Sequence, residues 1–315
     1  MKIVITDAQT VCDENISLDG IKALGETEVY SLSSPEELIE RIRDADIIIC
    51  NKSNMSGDVL KNAPKVKYIG LFATGFNNVD LEYTNAHGIT VCNVPGYSTD
   101  AVAQHTFALI LALLNRVGEY NKTVLEGDWI KSRTFSYFPL PLLELSDKTI
   151  GIVGYGSIGK KVAAIARAFG MNILAMNRSK IEDEGVRQVD FDTLLRESDI
   201  VTLHCPLNAD SADMMDGAAF RKMKQGAYFI NTARGPLVDE FALRTALECG
   251  HLSGAGLDVL RKEPMEEDCP LYGVDNCLIT PHIAWAGVET RRRLMDIVEE
   301  NIKAFLRGEP QNVVK

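Results

Sequence analysis

The chain has 315 residues and a mass of 34.7 kDa, about twice an ordinary single domain, so two domains are expected. Hydrophobic residues make up 46% and charged residues 24%, the balance of a globular protein. A formal charge of −11 and a pI near 5.0 argue against nucleic acid and against anionic membrane surfaces as partners, since both need a basic face.

The N-terminus reads as a first strand without an apolar leader. The longest apolar run, Phe107 to Leu114, falls short of the roughly 20 residues that span a bilayer. Seven scattered cysteines with no Cys-x-x-Cys pair fit reduced thiols in the cytoplasm better than a disulfide framework or zinc site. A cytoplasmic location and no metal are therefore expected.

In chain order, brief β-branched runs alternate with helix-like stretches, the pattern of parallel sheets covered on both faces. Residues 2–6, 27–31, 46–50, 67–71 and 89–93 read as strands. Residues 35–43 read as a helix with Pro35 in its first turn and Ser34 as its cap. The alternation breaks at 99–119, a helix apolar around most of its circumference, which is either a core or linking helix or a subunit interface. A second alternating block follows, with strands at 149–153, 172–176, 199–204, 228–231, 254–259 and 278–280. An amphipathic helix at 288–306 closes the chain and is expected to pack back on the first domain. The expected division is 1–99 with 284–315, and 100–283. On the closing helix, Arg291, Arg292 and Arg293 read as a solvated face.

Gly154, Gly156 and Gly159 match Gly-x-Gly-x-x-Gly directly after the strand at 149–153. They open a helix whose Ile158, Val162, Ile165 and Phe169 keep helical spacing. The first glycine permits the tight turn, the second lets a pyrophosphate approach the backbone, and the third lets helix pack on strand. The helix N-terminus, at Ser157 and Ile158, then offers N–H groups to phosphate. About 20 residues on, where an NAD site commonly carries an acid for the ribose 2′-hydroxyl, stand Asn177, Arg178 and Ser179. A guanidinium there can pair with a 2′-phosphate, which favours NADPH over NADH. The plainer alternative lays Arg178 against the adenine and gives the ribose hydroxyls to Asn177.

In a doubly wound sheet, ligands bind outside the carboxyl ends of the strands. Arg234, Asp258, Glu263 and His282 all follow predicted strands closely. Reduction of a 2-oxo acid needs a hydride from a nicotinamide and a proton for the carbonyl oxygen. His282 is the candidate acid, and Glu263 is a carboxylate able to favour its protonated form. Arg234 can hold a substrate carboxylate in fork geometry and polarise the neighbouring carbonyl. His87, His105, His204 and His251 read as structural, although His204 lies at a strand end facing the cofactor side.

These motifs, with His204-Cys205-Pro206-Leu207, Asn231-Thr232-Ala233-Arg234-Gly235, Gly256-Leu257-Asp258-Val259 and Thr280-Pro281-His282, make the chain resemble the D-isomer-specific 2-hydroxyacid dehydrogenase family over essentially its whole length. The resemblance implies an α/β protein of two doubly wound parallel-sheet domains, a flavodoxin-like substrate domain and a Rossmann cofactor domain, with a cleft between. It also implies a homodimer. It assigns Arg234 to the substrate, Glu263 to orienting the histidine, His282 to acid/base work and Asp258 to the nicotinamide carboxamide. It extends cofactor contact to His204, Cys205, Pro206, Thr232, Ala233 and Thr106. The segment 73–80, with Thr74 and Gly75, resembles a loop that receives the substrate carboxylate on backbone N–H groups. Lys52 and Ser53 lie in the segment facing it, and Trp285 is expected to wall the pocket.

Residues 95–106, including Gln104, together with His282-Ile283-Ala284-Trp285, are similar to the glycerate dehydrogenase branch, which reduces hydroxypyruvate and glyoxylate. The expected activity is thus reduction of a short 2-oxo acid with NAD(P)H. The alternatives are a same-family enzyme for lactate-like or other 2-hydroxy acids, and a dinucleotide-responsive binding protein like the family's corepressor relatives.

Overall fold

Alternating β-branched runs and helices build two parallel sheets, one in each of two units. The computed structural model describes residues 1–314. Unit 1 comprises Met1–Ser98 with Trp285 onward, and unit 2 comprises Thr99–Ala284.

Unit 1 carries β1 (Lys2–Ile5), β2 (Glu26–Val29), β3 (Ile47–Cys50), β4 (Tyr68–Leu71) and β5 (Thr90–Cys92), in the spatial order β2-β1-β3-β4-β5. All are parallel, and the order is that of a flavodoxin-like sheet. The helices on its faces are α1 (Asp19–Lys22), α2 (Pro35–Arg41), α3 (Gly57–Leu60) and α4 (Leu81–Ala86). Ser34 closes a capping box on α2: its hydroxyl accepts from the Glu37 N–H while the Glu37 carboxylate accepts from the Ser34 N–H.

Unit 2 begins with α5 (Thr99–Asn115), α6 (Val117–Leu125) and α7 (Asp128–Lys131). It continues through β6 (Thr149–Val153), α8 (Ser157–Ala168), β7 (Asn172–Met176), β8 (Arg187–Gln188), α9 (Phe191–Glu197), β9 (Ile200–Leu203), α10 (Gly217–Lys222), β10 (Ala227–Asn231), α11 (Glu240–Glu248), β11 (Leu252–Leu257) and β12 (Cys277–Ile279). The seven strands are parallel in the order β12-β11-β10-β9-β6-β7-β8. This is the Rossmann order with an added edge strand, and it reverses between β6 and β9. The α/β class and the two doubly wound sheets agree with the sequence reading.

The chain closes on α12 (Val288–Leu306), whose Leu294, Met295, Val298 and Ile302 enter the core of unit 1 beside Ile3, Ile47 and Tyr68. Two sequence expectations need correction. The helix expected over 99–119 ends at Asn115, because Arg116 takes a left-handed conformation (φ 49°) and the next helix departs at 50°. The buried face also ends there, since no residue of α6 is buried. The arginine run is solvated only in part: Arg292 and Arg293 are exposed, but the run is also tied down. Arg291 pairs with Asp13 at 2.8 Å, and Arg293 donates to the Tyr97 carbonyl at 2.6 Å.

Candidate active site

Because unit 2's strands are parallel, the residues after each strand meet at one edge of the sheet. The loop after β6 lies at the topological switch point. Gly154 has φ +95°, and a Cβ there would come within 2.8 Å of the backbone of His204 and Cys205 after β9. A Cβ on Gly159 would lie 2.2 Å from the Gly154 carbonyl, so only glycine lets α8 pack this closely. At Gly156 the same construction meets nothing within 4 Å, and both Gly156 and Ser157 are exposed. The first-turn N–H groups of α8 therefore face an open cradle, which fits a pyrophosphate.

Beside this cradle, His204 bonds through Nε2 to the Thr202 hydroxyl at 3.0 Å, while its Nδ1 is buried and has no partner among the described residues. Burial pushes the ring's pKa down to about 3, so it is neutral. The hydroxyls of Thr106 and Thr232 meet at 3.0 Å, and both residues are buried. After β7, Asn177 accepts from the Tyr155 N–H at 3.2 Å and donates to the Ser179 hydroxyl at 3.0 Å. Arg178 and Ser179 are exposed. An open helix N-terminus, an orphaned ring nitrogen and an exposed guanidinium after the second strand suit a phosphorylated dinucleotide.

Arg234 follows β10 in a turn bracketed by Asn231, which donates to the Arg234 carbonyl at 2.9 Å and accepts from the Ala233 N–H at 3.0 Å. The guanidinium is exposed and bonds to the Ala233 carbonyl at 2.7 Å. Next comes Gly235, where a Cβ would stand 1.9 Å from the Leu260 carbonyl. This contact lets the arginine turn press on the backbone leading to Glu263. The Glu263 carboxylate accepts from the Leu260 N–H at 3.1 Å and from His282 Nδ1 at 2.6 Å. His282 sits at φ 55°, a left-handed conformation that costs a non-glycine residue about 1–2 kcal/mol.

Asp258, 1% exposed, has its carboxylate engaged in holding the histidine loop. It accepts from the Thr280 hydroxyl at 2.6 Å, the Ile283 N–H at 2.9 Å and the Ala284 N–H at 2.8 Å. His105 Nε2 reaches Thr280 Oγ1 at 2.9 Å and completes the cluster. Asn231, Gly235 and Thr280 are positioning residues that sequence reading passed over. Gly235 and Thr280 act on chain-distant partners that leave no local pattern, while Asn231 acts within its own turn; all three stood in the quoted motifs without a role.

In unit 1 the edge at the switch point between β1 and β3 carries Asp7, which is buried. Its carboxylate accepts from the N–H groups of Asn51, Lys52 and Ser53 and from the Ser53 hydroxyl, leaving the Lys52 side chain exposed. Asn78 joins this turn to the 73–80 segment by donating to the Ser53 carbonyl at 2.8 Å. The Thr74 hydroxyl turns to the Val94 carbonyl at 2.7 Å, and Gly75 follows it. Trp285 packs edge-on to Tyr97, with ring centroids 6.5 Å apart, against unit 1's core. Among the described residues no cluster suits a metal ion, and all seven cysteines are free.

Residues 107–284 match the family model for the NAD-binding domain of D-isomer specific 2-hydroxyacid dehydrogenases. Among curated proteins, the chain is 43% identical to a hydroxypyruvate reductase of Blautia hydrogenotrophica, covering 100% of this chain and 99% of the relative. It is 42% identical to a glycerate dehydrogenase of Methylorubrum extorquens, over 91% of each. Among solved structures, an acyclic imino acid reductase, Bsp5, in complex with NADPH and D-arginine superposes with a TM-score of 0.89 at 35% identity, covering 100% of both chains. A sheet in the Rossmann order with a hydrogen-bonded histidine–glutamate pair beyond its strand ends, and full-length relatives at this identity, lead to one conclusion: the chain belongs to the D-isomer specific 2-hydroxyacid dehydrogenase family and is a nicotinamide-dependent oxidoreductase of that family.

Proposed function

We propose that this enzyme reduces hydroxypyruvate or glyoxylate to D-glycerate or glycolate, with NADPH preferred over NADH. The observation that carries the chemistry is the 2.6 Å bond between Glu263 and His282 Nδ1. It fixes the ring so that Nε2 is the nitrogen that gives its proton to the substrate carbonyl oxygen. When bound, the nicotinamide supplies the hydride. Arg234 binds the substrate carboxylate and polarises the adjacent carbonyl. Asp258, whose carboxylate clamps the histidine loop, is also proposed to hold the nicotinamide carboxamide. Lys52, Ser53, Thr74, Gly75 and Trp285 are the residues of unit 1 proposed for the substrate. Gly154, Gly156, Ser157, Ile158, Gly159, Asn177, Arg178, Ser179, His204, Cys205, Pro206, Thr232, Ala233 and Thr106 are proposed for the cofactor.

The substrate choice is supported by the names of the full-length relatives. The NADPH preference rests on exposed Arg178 and Ser179, where a carboxylate would favour NADH. The same reading places the enzyme in the cytoplasm as a homodimer, with neither nucleic acid nor membrane as partner. No single helix among the described residues is long and apolar enough to cross a membrane.

A panel of short 2-oxo acids with NADH and NADPH, followed by loss of nicotinamide absorbance, tests the proposal. Hydroxypyruvate or glyoxylate should give the highest kcat/KM, and faster turnover of pyruvate or a branched oxo acid would overturn the substrate assignment. His282→Ala should lower kcat by about 10²–10⁴-fold while cofactor still binds. Unchanged turnover in that variant would remove His282 from the chemistry.

A further inference from the structure

The segment between β7 and β8 contains a carboxylate that the proposed site does not use. Asp183 lies six residues beyond Asn177, so it misses the position from which an acid reads the ribose, yet it comes back to the glycine loop. The Tyr155 hydroxyl, from the residue between the first two glycines, donates to Asp183 Oδ2 at 2.8 Å. On the other oxygen, the Arg167 guanidinium of α8 donates at 2.8 Å and the Gly185 N–H at 3.1 Å. A Cβ on Gly185 would lie 2.5 Å from that guanidinium, so the turn closes directly over Arg167.

Both members of the tyrosine–aspartate bond keep their protonation through the neutral range. Donation from Tyr155 holds the Asp183 carboxyl below the usual carboxylate range. Burial first, and then the Asp183 bond, pushes the Tyr155 phenol up to about 12. At its other end the segment is laced by Gln188, whose amide donates to the carbonyls of Asn177 and Ser179, each at 3.1 Å. Between these anchors Arg178 and Lys180 stand exposed, and neither makes an ion pair among the described residues.

We infer that Tyr155 and Asp183 form a tether that sets cofactor specificity, holding the 177–188 segment against the glycine loop so that Arg178 and Lys180 present positive charge to the ribose 2′-phosphate. The carboxylate itself is turned inward and matched by Tyr155, Arg167 and the Gly185 N–H, so it does not oppose that phosphate. Tyr155 and Asp183 are positioning residues acting through Arg178. The inference rests on the NADPH reading.

The test uses the full chain, with kinetics against both cofactors and calorimetric binding of 2′,5′-ADP and 5′-ADP. Tyr155→Phe removes a single oxygen and should raise KM for NADPH about five-fold, the worth of one such bond. KM for NADH and kcat with either cofactor should stay within about two-fold on the same basis. Asp183→Ala should act alike, Asp183→Asn, which keeps an acceptor for the phenol, should restore most of the preference, and 2′,5′-ADP should weaken in parallel. A Tyr155→Phe enzyme that keeps its preference overturns the tether and leaves the NADPH reading standing. So does an Asp183→Ala enzyme that loses NADH affinity and gains NADPH affinity, because Asp183 would then be a ribose acid. If the unsubstituted enzyme binds 2′,5′-ADP no better than 5′-ADP, and Arg178→Ala changes neither, the NADPH reading fails and takes the tether with it.

Discussion

Two histidines at the ends of strands in one sheet have opposite fates, and their partners decide which. His282 meets a carboxylate on Nδ1 and stands in a partly exposed loop. His204 is shut in beside the glycine loop with Nδ1 unpaired, and burial holds it neutral with a pKa of about 3. This has a stability consequence of definite sign. Below the ordinary histidine pKa of 6.5 the unfolded chain takes up a proton that the folded chain refuses, so the contribution is complete above that value and is lost as pH falls toward 3. Between these limits the loss is roughly 1.4 kcal/mol per pH unit. Melting temperatures measured from about pH 7 to pH 4 should therefore fall more steeply for the native chain than for His204→Asn. Parallel curves would show that this ring is accessible to protons.

The elements show how much of the architecture could be read in advance. Strands such as Thr149–Val153 and Asn172–Met176 stand where their apolar runs stand, because a strand buried on both faces leaves no choice of periodicity. The Ser34 cap and the Pro35 first turn of α2 were equally legible, since both are local chemistry, while the reciprocal Glu37 bond came only with the structure. Ser34→Ala should cost about 1 kcal/mol, seen as a lower urea midpoint with an unchanged slope. An unchanged midpoint would mean that unit 1 does not depend on this cap. The break at Arg116 was not legible, because it marks the end of a buried face and no residue in the run announces it. The two-residue strand β8 is too short to show a period. In the site, Arg234, Glu263 and His282 could be picked out because each follows a strand within a recognisable motif. The bonds from Asp258 to Thr280, Ile283 and Ala284, and from Asp183 to Tyr155, bridge distant segments and become visible only once the sheet is assembled.

At the scale of the molecule, the net charge of −11 offers no attraction to an anionic acid or dinucleotide. In the proposed site, local groups such as Arg234, Arg178 and the N-terminus of α8 would supply the attraction instead. The surface has a second uneven feature. Over α6, α7 and the stretch that follows, Leu125, Ile130, Phe135 and Phe138 are each at least 79% exposed. Exposed large apolar side chains clustered in one stretch of sequence suit an association site, and the proposed homodimer would supply a second copy to cover them. If the proposed dimer forms through this stretch, Ile130→Asp combined with Phe135→Asp should convert it to monomer in sedimentation equilibrium. A native chain that sediments as a monomer at micromolar concentration would refute the dimer.

The placement of α12 has a consequence for biosynthesis. Unit 1 takes its first 98 residues from the start of the chain and Leu294, Met295, Val298 and Ile302 from near the end. On a ribosome, its sheet emerges first but lacks the helix that covers part of its core. The whole of unit 2 is made in the interval. Vectorial synthesis therefore completes the domain encoded in the middle before the one encoded first. A chain arrested before Val288 would carry a finished dinucleotide fold beside a sheet with an uncovered apolar face, the form of this protein most exposed to chaperones and proteases.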